Sequence, residues 1–195
     1  MFDHVNVNGL IKQKVYGIKI NCLFMRCFVG IKIPPNEKIL NFQKEIKLAF
    51  NVKLVEPQNL HATLKFLGEI DEKNLEKILI ALKKLDFKKF EIKMHGAGAF
   101  PKDVYARVIW IGLLSNELNE LGETVSTILK GYGDEKFSPH LTLGRLKNPA
   151  NISIFISQYK NFDFGSFMVE SFEIYKSTLM PDGPIYEEIE KILAK

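Results

Sequence analysis

Two of the four histidines open the same short phrase: His61-Ala62-Thr63-Leu64 and His140-Leu141-Thr142-Leu143, which lie 140 − 61 = 79 positions apart. With five Thr and 22 Leu in 195 residues, chance would produce such a coincidence on the order of once in ten thousand. In a strand, residues i and i+2 point to one face. Each phrase therefore sets an imidazole beside a hydroxyl, with Cα atoms roughly 6 to 7 Å apart, while Leu60, Ala62 and Leu64, or Leu141 and Leu143, anchor the other face. Two opposed imidazoles suit in-line displacement at phosphorus, where one group takes a proton from the attacking oxygen and another gives one to the departing oxygen. Histidine, with an ordinary pKa near 6.5, serves in either role at neutral pH. The Thr63 and Thr142 hydroxyls would hydrogen-bond the non-bridging phosphoryl oxygens, where charge has to be held. Nothing in this scheme calls for a metal or another cofactor.

The elements that must position these groups follow from periodicity. Arg26 to Ile33 alternates, with Cys27, Val29, Ile31 and Ile33 on one face and Arg26, Phe28 and Lys32 on the other, until Pro34-Pro35 ends the strand. Ile39, Phe42, Ile46 and Phe50 recur at helical spacing, and a second helix runs from Glu72 to about Leu85 behind Asp71 as N-cap. Between them lies the first histidine strand. The second half repeats the order: a strand from Tyr105 to Ile111, a helix through Leu118, Leu121, Val125 and Ile128, a turn at Gly131-Tyr132-Gly133-Asp134, and the second histidine strand. A helix near Ile152 to Tyr159, a strand from Ser171 to Ser177, a Pro-Asp-Gly-Pro turn at Pro181 and a short helical pattern through Ile185, Ile189 and Ile192 complete the chain. Strands mixed with helices and without a Gly-rich nucleotide loop give an α+β class, read as two similar lobes facing one cleft.

Composition narrows the field further. Hydrophobic residues make up 46% and charged residues 26% of the chain, with no uninterrupted apolar run of the roughly 18 residues a membrane span requires. A soluble cytoplasmic protein without a membrane role is expected. Cys22 and Cys27 match neither a paired-ligand zinc motif nor a disulfide framework and read as reduced core residues. The net charge of +4 is small enough to come from solvated lysines. Of 27 basic residues only Arg26, Arg107 and Arg145 are arginine, which makes each a candidate for bidentate contact with phosphate or carboxylate. Residues 1–24 lack clear periodicity and a signal-peptide core; they read as an extension ahead of Met25, leaving 25–195 as a single bilobal unit.

Extended on either side, His61-Ala62-Thr63-Leu64-Lys65-Phe66-Leu67-Gly68 and Ser138-Pro139-His140-Leu141-Thr142-Leu143-Gly144-Arg145 resemble the paired motifs of the two-histidine (2H) phosphoesterases. The likeness is specifically to the RNA 2′,3′-cyclic phosphodiesterase branch, also called 2′,5′ RNA ligases. It runs from Met25 to about Glu188, taking in Arg26-Cys27-Phe28-Val29-Gly30-Ile31 and the closing Tyr175-Lys176-Ser177-Thr178-Leu179-Met180-Pro181-Asp182-Gly183-Pro184-Ile185-Tyr186. The resemblance implies a bilobal fold, two similar lobes of antiparallel sheet plus helices around a pseudo-twofold cleft. It implies opening of a 2′,3′-cyclic phosphate on RNA to leave a 2′-phosphate, with reversible 2′,5′ ligation in some members. The implied catalytic residues are His61, Thr63, His140 and Thr142, acting within a monomer on RNA ends or a related nucleotide. It also implies a phosphate contact by Arg145, yet the offset from His140 is odd, so an ideal strand would point Arg145 to the opposite face. A bend at Gly144 is required.

Other residues divide between chemistry and packing. Arg26 and Phe28 share the face that would line the cleft, as substrate contacts or as an exposed ion pair and a partly covered ring. Trp110, on the opposite face of its strand from Arg107, reads as core. Tyr132 or Phe28 would stack on a nucleobase, or Tyr132 would merely pin its loop, and His4 and His95 read as structural. Two rival functions remain at this point: the same chemistry on a small nucleotide such as an ADP-ribose-type cyclic phosphate, and a non-catalytic RNA-binding module.

Overall fold

The computed structural model describes residues 10–15, 18–133, 135–181 and 183–195; His4 and Asp134 lie outside them. β1 (Leu10–Val15) and β2 (Ile18–Leu23) pair as an antiparallel ribbon that joins neither larger sheet. The stretch read as lacking periodicity is thus a hairpin in its described part, since ladder hydrogen bonds between backbones require no apolar face.

The remaining elements follow in the order β3 (Met25–Lys32), α1 (Glu37–Ala49), β4 (Val52–Leu54), β5 (His61–Ile70), α2 (Glu72–Lys83), β6 (Phe90–Lys102), β7 (Tyr105–Leu114), α3 (Asn116–Ile128), β8 (His140–Ala150), α4 (Ser153–Ser157), β9 (Asp163–Val169), β10 (Ser171–Met180) and β11 (Gly183–Leu193). They build two antiparallel sheets, ordered β11-β10-β3-β5 and β4-β8-β7-β6-β9. The first sheet matches β9-β6-β7-β8 of the second strand for strand, an approximate twofold that makes β5 the counterpart of β8. This is the expected α+β, bilobal arrangement. The lobes are not the two halves of the chain, however: β4 from the first half extends the second sheet, and β10 and β11 return to extend the first.

Local sequence explains the helices. Side chains of Asn36, Asp71 and Ser115 accept hydrogen bonds from the backbone N–H of Ile39, Asn74 and Leu118, at 3.0, 2.7 and 3.3 Å, capping α1, α2 and α3. The buried stripes Ile39, Phe42 and Ile46, Ile78 and Leu82, and Leu118, Leu121 and Val125 then face a core that runs continuously across both lobes. α1 follows β3 of one lobe but packs on the other, with the Phe42 and Phe164 rings 5.2 Å apart and the Asn36 amide donating to the Phe164 carbonyl. The α3 stripe reaches β5. Buried Gln43 ties the crossover together by donating to the carbonyls of Val55 and Leu143 at 2.8 and 3.1 Å.

Two readings of the chain need correction. The tail is a strand, β11, rather than a helix. It pairs with β10 except for a bulge at Ile189, which falls between the pairs Glu190–Ile174 and Glu188–Tyr175. One extra residue turns a two-residue period into the helix-like spacing of Ile185, Ile189 and Ile192. The strands β4, β6 and β9 are additional to the elements read from sequence, although the alternation of buried Phe90, Ile92 and Met94 with Glu91 and Lys93 is a clear signal for β6. Among the described residues no helix is long and apolar enough to cross a membrane.

Candidate active site

Both histidines sit at the first residue of their strands, β5 and β8, with Thr63 and Thr142 two residues on. In each strand the histidine and threonine are partly exposed while Ala62 and Leu64, or Leu141 and Leu143, are buried. The alternation expected from sequence is therefore present in both lobes.

The histidine rings are held in the same way. Nδ1 of His61 lies 2.6 Å from the carbonyl oxygen of Asn59, and Nδ1 of His140 lies 2.7 Å from that of Ser138. A carbonyl only accepts, so each Nδ1 carries the hydrogen and each Nε2 is left for proton exchange. Around His61 the Phe28 ring lies 4.8 Å away and the Tyr186 ring 5.1 Å away edge-on, whereas Phe100 meets His140 edge-on at 5.0 Å. Burial drives both imidazoles below their ordinary pKa, opposed in part by the hydrogen bond to the backbone carbonyl. The charges of His140 and Arg145 lower His61 further, and that of Arg145 lowers His140. The two rings and the guanidinium therefore share one electrostatic environment.

Arg145 reaches that environment through a bulge. Along β8, Thr142 pairs with Trp110 and Gly144 pairs with Ile109, so Leu143 is the extra residue. After it the face switches: Gly144 and Leu146 are buried, and Arg145 is exposed opposite Val108, on the face of His140 and Thr142. The first strand carries the same device. Thr63 pairs with Gly30 and Lys65 with Val29, which leaves Leu64 extra and turns Phe66 to the cleft face, opposite Phe28. Phe66 and Arg145 are again 145 − 66 = 79 positions apart. One lobe thus presents an aromatic ring, 41% exposed, where the other presents a guanidinium.

The remaining candidates divide. Arg26 is exposed on the cleft face of β3; burial raises the phenol of the nearby Tyr186 above its ordinary pKa, and the charges of Arg145 and Arg26 oppose that rise in part. Phe28 is only 3% exposed; it forms the floor under His61, stacked on Tyr175 at 5.0 Å, rather than a partly covered ring. Trp110 is not core. It lies beside Thr142 on the cleft face, its indole so close over Gly98 that a Cβ there would collide with it. Tyr132 pins its loop, its hydroxyl facing the Asn74 side chain at 3.5 Å, and the loop is further held by Lys65, which donates to the Gly133 carbonyl at 2.7 Å. His95 sits on β6 in register with Asp163 of β9, and Cys27 is a buried free thiol whose pKa burial pushes up to about 11.

Sequence reasoning missed Tyr186, Phe66, Trp110 and Glu173 as parts of this site. Tyr186 stands in the closing stretch that carries the family likeness, and Phe66 in the first motif, but their faces are decided by pairing and bulges. Glu173, 2% exposed, accepts from the Lys32 backbone N–H at 3.3 Å, the Ser171 hydroxyl at 2.6 Å and the Tyr175 hydroxyl at 3.4 Å. Lys32 is the ladder partner of His61, so this buried carboxylate braces the strand beside the histidine. Among the described residues no cluster of three or more His, Cys, Asp or Glu side chains is placed to hold a metal ion.

Comparison with known proteins agrees with this geometry. The family model described as LigT like Phosphoesterase matches residues 31–110 and 112–186. The chain is 43% identical over 175 residues to the RNA 2′,3′-cyclic phosphodiesterase of Methanocaldococcus jannaschii, covering 86% of this chain and 99% of the relative. It is 39% identical over 173 residues to the protein of the same name from Archaeoglobus fulgidus, covering 85% and 98%. A crystal structure of a Thermus thermophilus protein superposes with a TM-score of 0.74 at 29% identity, covering 87% of this chain and 97% of that one. Two matched lobes, paired histidine strands and relatives of this closeness together mean that the chain belongs to the LigT-like phosphoesterase family.

Proposed function

We propose that this protein opens 2′,3′-cyclic phosphates at RNA ends to 2′-phosphomonoesters, using His61 and His140 as a general acid–base pair. The reading is supported above all by the matched handling of the two rings, each with Nδ1 tied to the carbonyl two residues before it and Nε2 left to exchange protons. The names borne by relatives at 43% and 39% identity supply the substrate class. In the forward step a water oxygen attacks phosphorus as one Nε2 takes its proton. The bond from phosphorus to the 3′-oxygen breaks, and the other Nε2 delivers a proton to that oxygen. Thr63 and Thr142 donate to the non-bridging oxygens, and the Arg145 guanidinium offsets their charge. Ligation through a 2′,5′ linkage follows the same step with an RNA 5′-hydroxyl in place of water, and its reversal, attack of the 3′-hydroxyl on that linkage, exchanges the acid and base roles. Residues 25–195 form the catalytic unit in this reading, acting as a cytoplasmic monomer, with 1–24 an extension outside it.

The direct test is release of 2′-phosphate from an oligonucleotide bearing a 2′,3′-cyclic phosphate, in excess EDTA, by wild type, His61→Ala and His140→Ala. Each substitution is expected to lower kcat by about 10² to 10⁴ without loss of EDTA-resistant turnover in wild type. Rates within tenfold of wild type would remove the acid–base pair, and abolition by EDTA would replace it with a metal-assisted path.

A further inference from the structure

The approximate twofold is broken beside the histidines. Opposite His140 stands Gly112, whereas opposite His61 stands Lys32. On the His61 side β10 and β11 continue the wall, and a recess of about 240 Å³ opens there, bounded by His61, Phe28, Lys32, Tyr175, Tyr186 and Glu188 among others. Its floor is aromatic: Phe28 and Tyr175 are 3% and 8% exposed and stacked on each other, with Tyr186 edge-on to Phe28 at 5.0 Å. Its rim is charged. Glu188 is the ladder partner of Tyr175, and its charge helps to raise the Tyr175 phenol. Among the described residues neither the Glu188 carboxylate nor the Lys32 ammonium has an ion-pair partner. A slot floored by aromatic rings, with the Glu188 carboxylate as acceptor and the Lys32 ammonium as donor beside the Gln58 and Asn59 that also line it, and sharing a wall with His61, fits a planar heterocycle one sugar away from the phosphorus.

We propose that this recess receives the nucleobase of the nucleotide that carries the cyclic phosphate, with Glu188 selecting bases that bear an exocyclic amino group. The inference rests on the cyclic phosphodiesterase reading and adds a specificity residue to it. A carboxylate only accepts hydrogen bonds, so it pairs with the amino groups of adenine, cytosine and guanine. Uracil sets its one N–H between two carbonyl oxygens, which repel the carboxylate, and its discrimination follows. The test uses four short RNAs that differ only in the terminal nucleoside with its 2′,3′-cyclic phosphate, read as kcat/KM for wild type and Glu188→Gln. Wild type is expected to favour the best amino-bearing terminus over uridine by about tenfold or more, and E188Q to bring that ratio within about twofold. Equal rates on all four RNAs in wild type, or an unchanged ratio in E188Q, would overturn the base pocket while leaving the activity standing. Absence of turnover on all four would overturn the activity itself.

Discussion

At the residue scale the proposed chemistry depends on Nε2 of two imidazoles whose Nδ1 atoms are committed to backbone carbonyls. Burial lowers both pKa values from about 6.5, which sets the sign of two pH effects. The proposed acid–base pair requires one ring protonated and the other neutral, so on that proposal kcat/KM should be highest on the acid side of about pH 6.5 and fall as the acid ring loses its proton at higher pH. A pH profile peaking at 8 or above would contradict this. Stability should move the other way. Below about pH 6.5 the unfolded chain binds protons that the folded rings resist, so the contribution of the neutral rings is present above that pH and is lost as pH falls through the lowered values. Urea denaturation of wild type and His61→Gln at pH 7.5 and 5.5 measures it, with a smaller acid loss expected in the variant. The hydroxyls make a third case: Thr63→Val and Thr142→Val should each lower kcat by about tenfold to a hundredfold through loss of one donor to the phosphoryl oxygens.

At the element scale the decisive device is one extra residue in each histidine strand. Without the bulge at Leu143, Arg145 would face the buried side with Leu141, and the guanidinium charge would be absent from the cleft. Gly144 makes the bend possible against β4, because a Cβ there would stand 2.8 Å from a Val52 methyl and 3.2 Å from the Lys53 carbonyl oxygen. Gly144→Val is therefore expected to push β4 from β8 and shift Arg145, raising KM and lowering Tm by several degrees in thermal denaturation. Gly133 is a second such point, with φ +56° and a Cβ position that would collide with the Phe66 carbonyl oxygen. Gly133→Ala should destabilise by about 1 to 3 kcal/mol through left-handed strain and displacement of the loop from β5. The strands themselves were legible because two-residue alternation survives wherever a sheet has one buried face. The bulges at Leu64 and Ile189 were not, since an inserted residue erases that alternation locally, and at Ile189 it imitates a helix.

For the whole molecule the chain passes between lobes four times, from β3 to β4, β4 to β5, β5 to β6 and β9 to β10, and α1 packs away from the lobe that precedes it. Gln43 stands at the first crossing, 4% exposed, with its amide shared between the Val55 and Leu143 carbonyls. Gln43→Leu would strip a donor from two carbonyls and should cost about 1 to 3 kcal/mol in denaturant unfolding. Because Leu143 is the bulge residue, the same variant should also lower kcat/KM measurably. The exchange of elements gives the two lobes one shared core, so neither can shift without disturbing the packing of the other.

From the sequence alone came the paired His-x-Thr phrases, the faces of the strands that carry them, the capped helices, the α+β class and the family likeness. All of these rest on local spacing, which a strand or helix converts directly into direction. The tertiary structure alone decided that Arg145 faces the cleft and that Phe28 and Tyr175 form a floor rather than a free surface. It also brought Trp110, Tyr186 and Glu188 beside residues more than 30 positions away in the chain. Those outcomes depend on ladder register, bulges and strand exchange between lobes, which arise from pairing between distant segments and leave no periodic trace in either one.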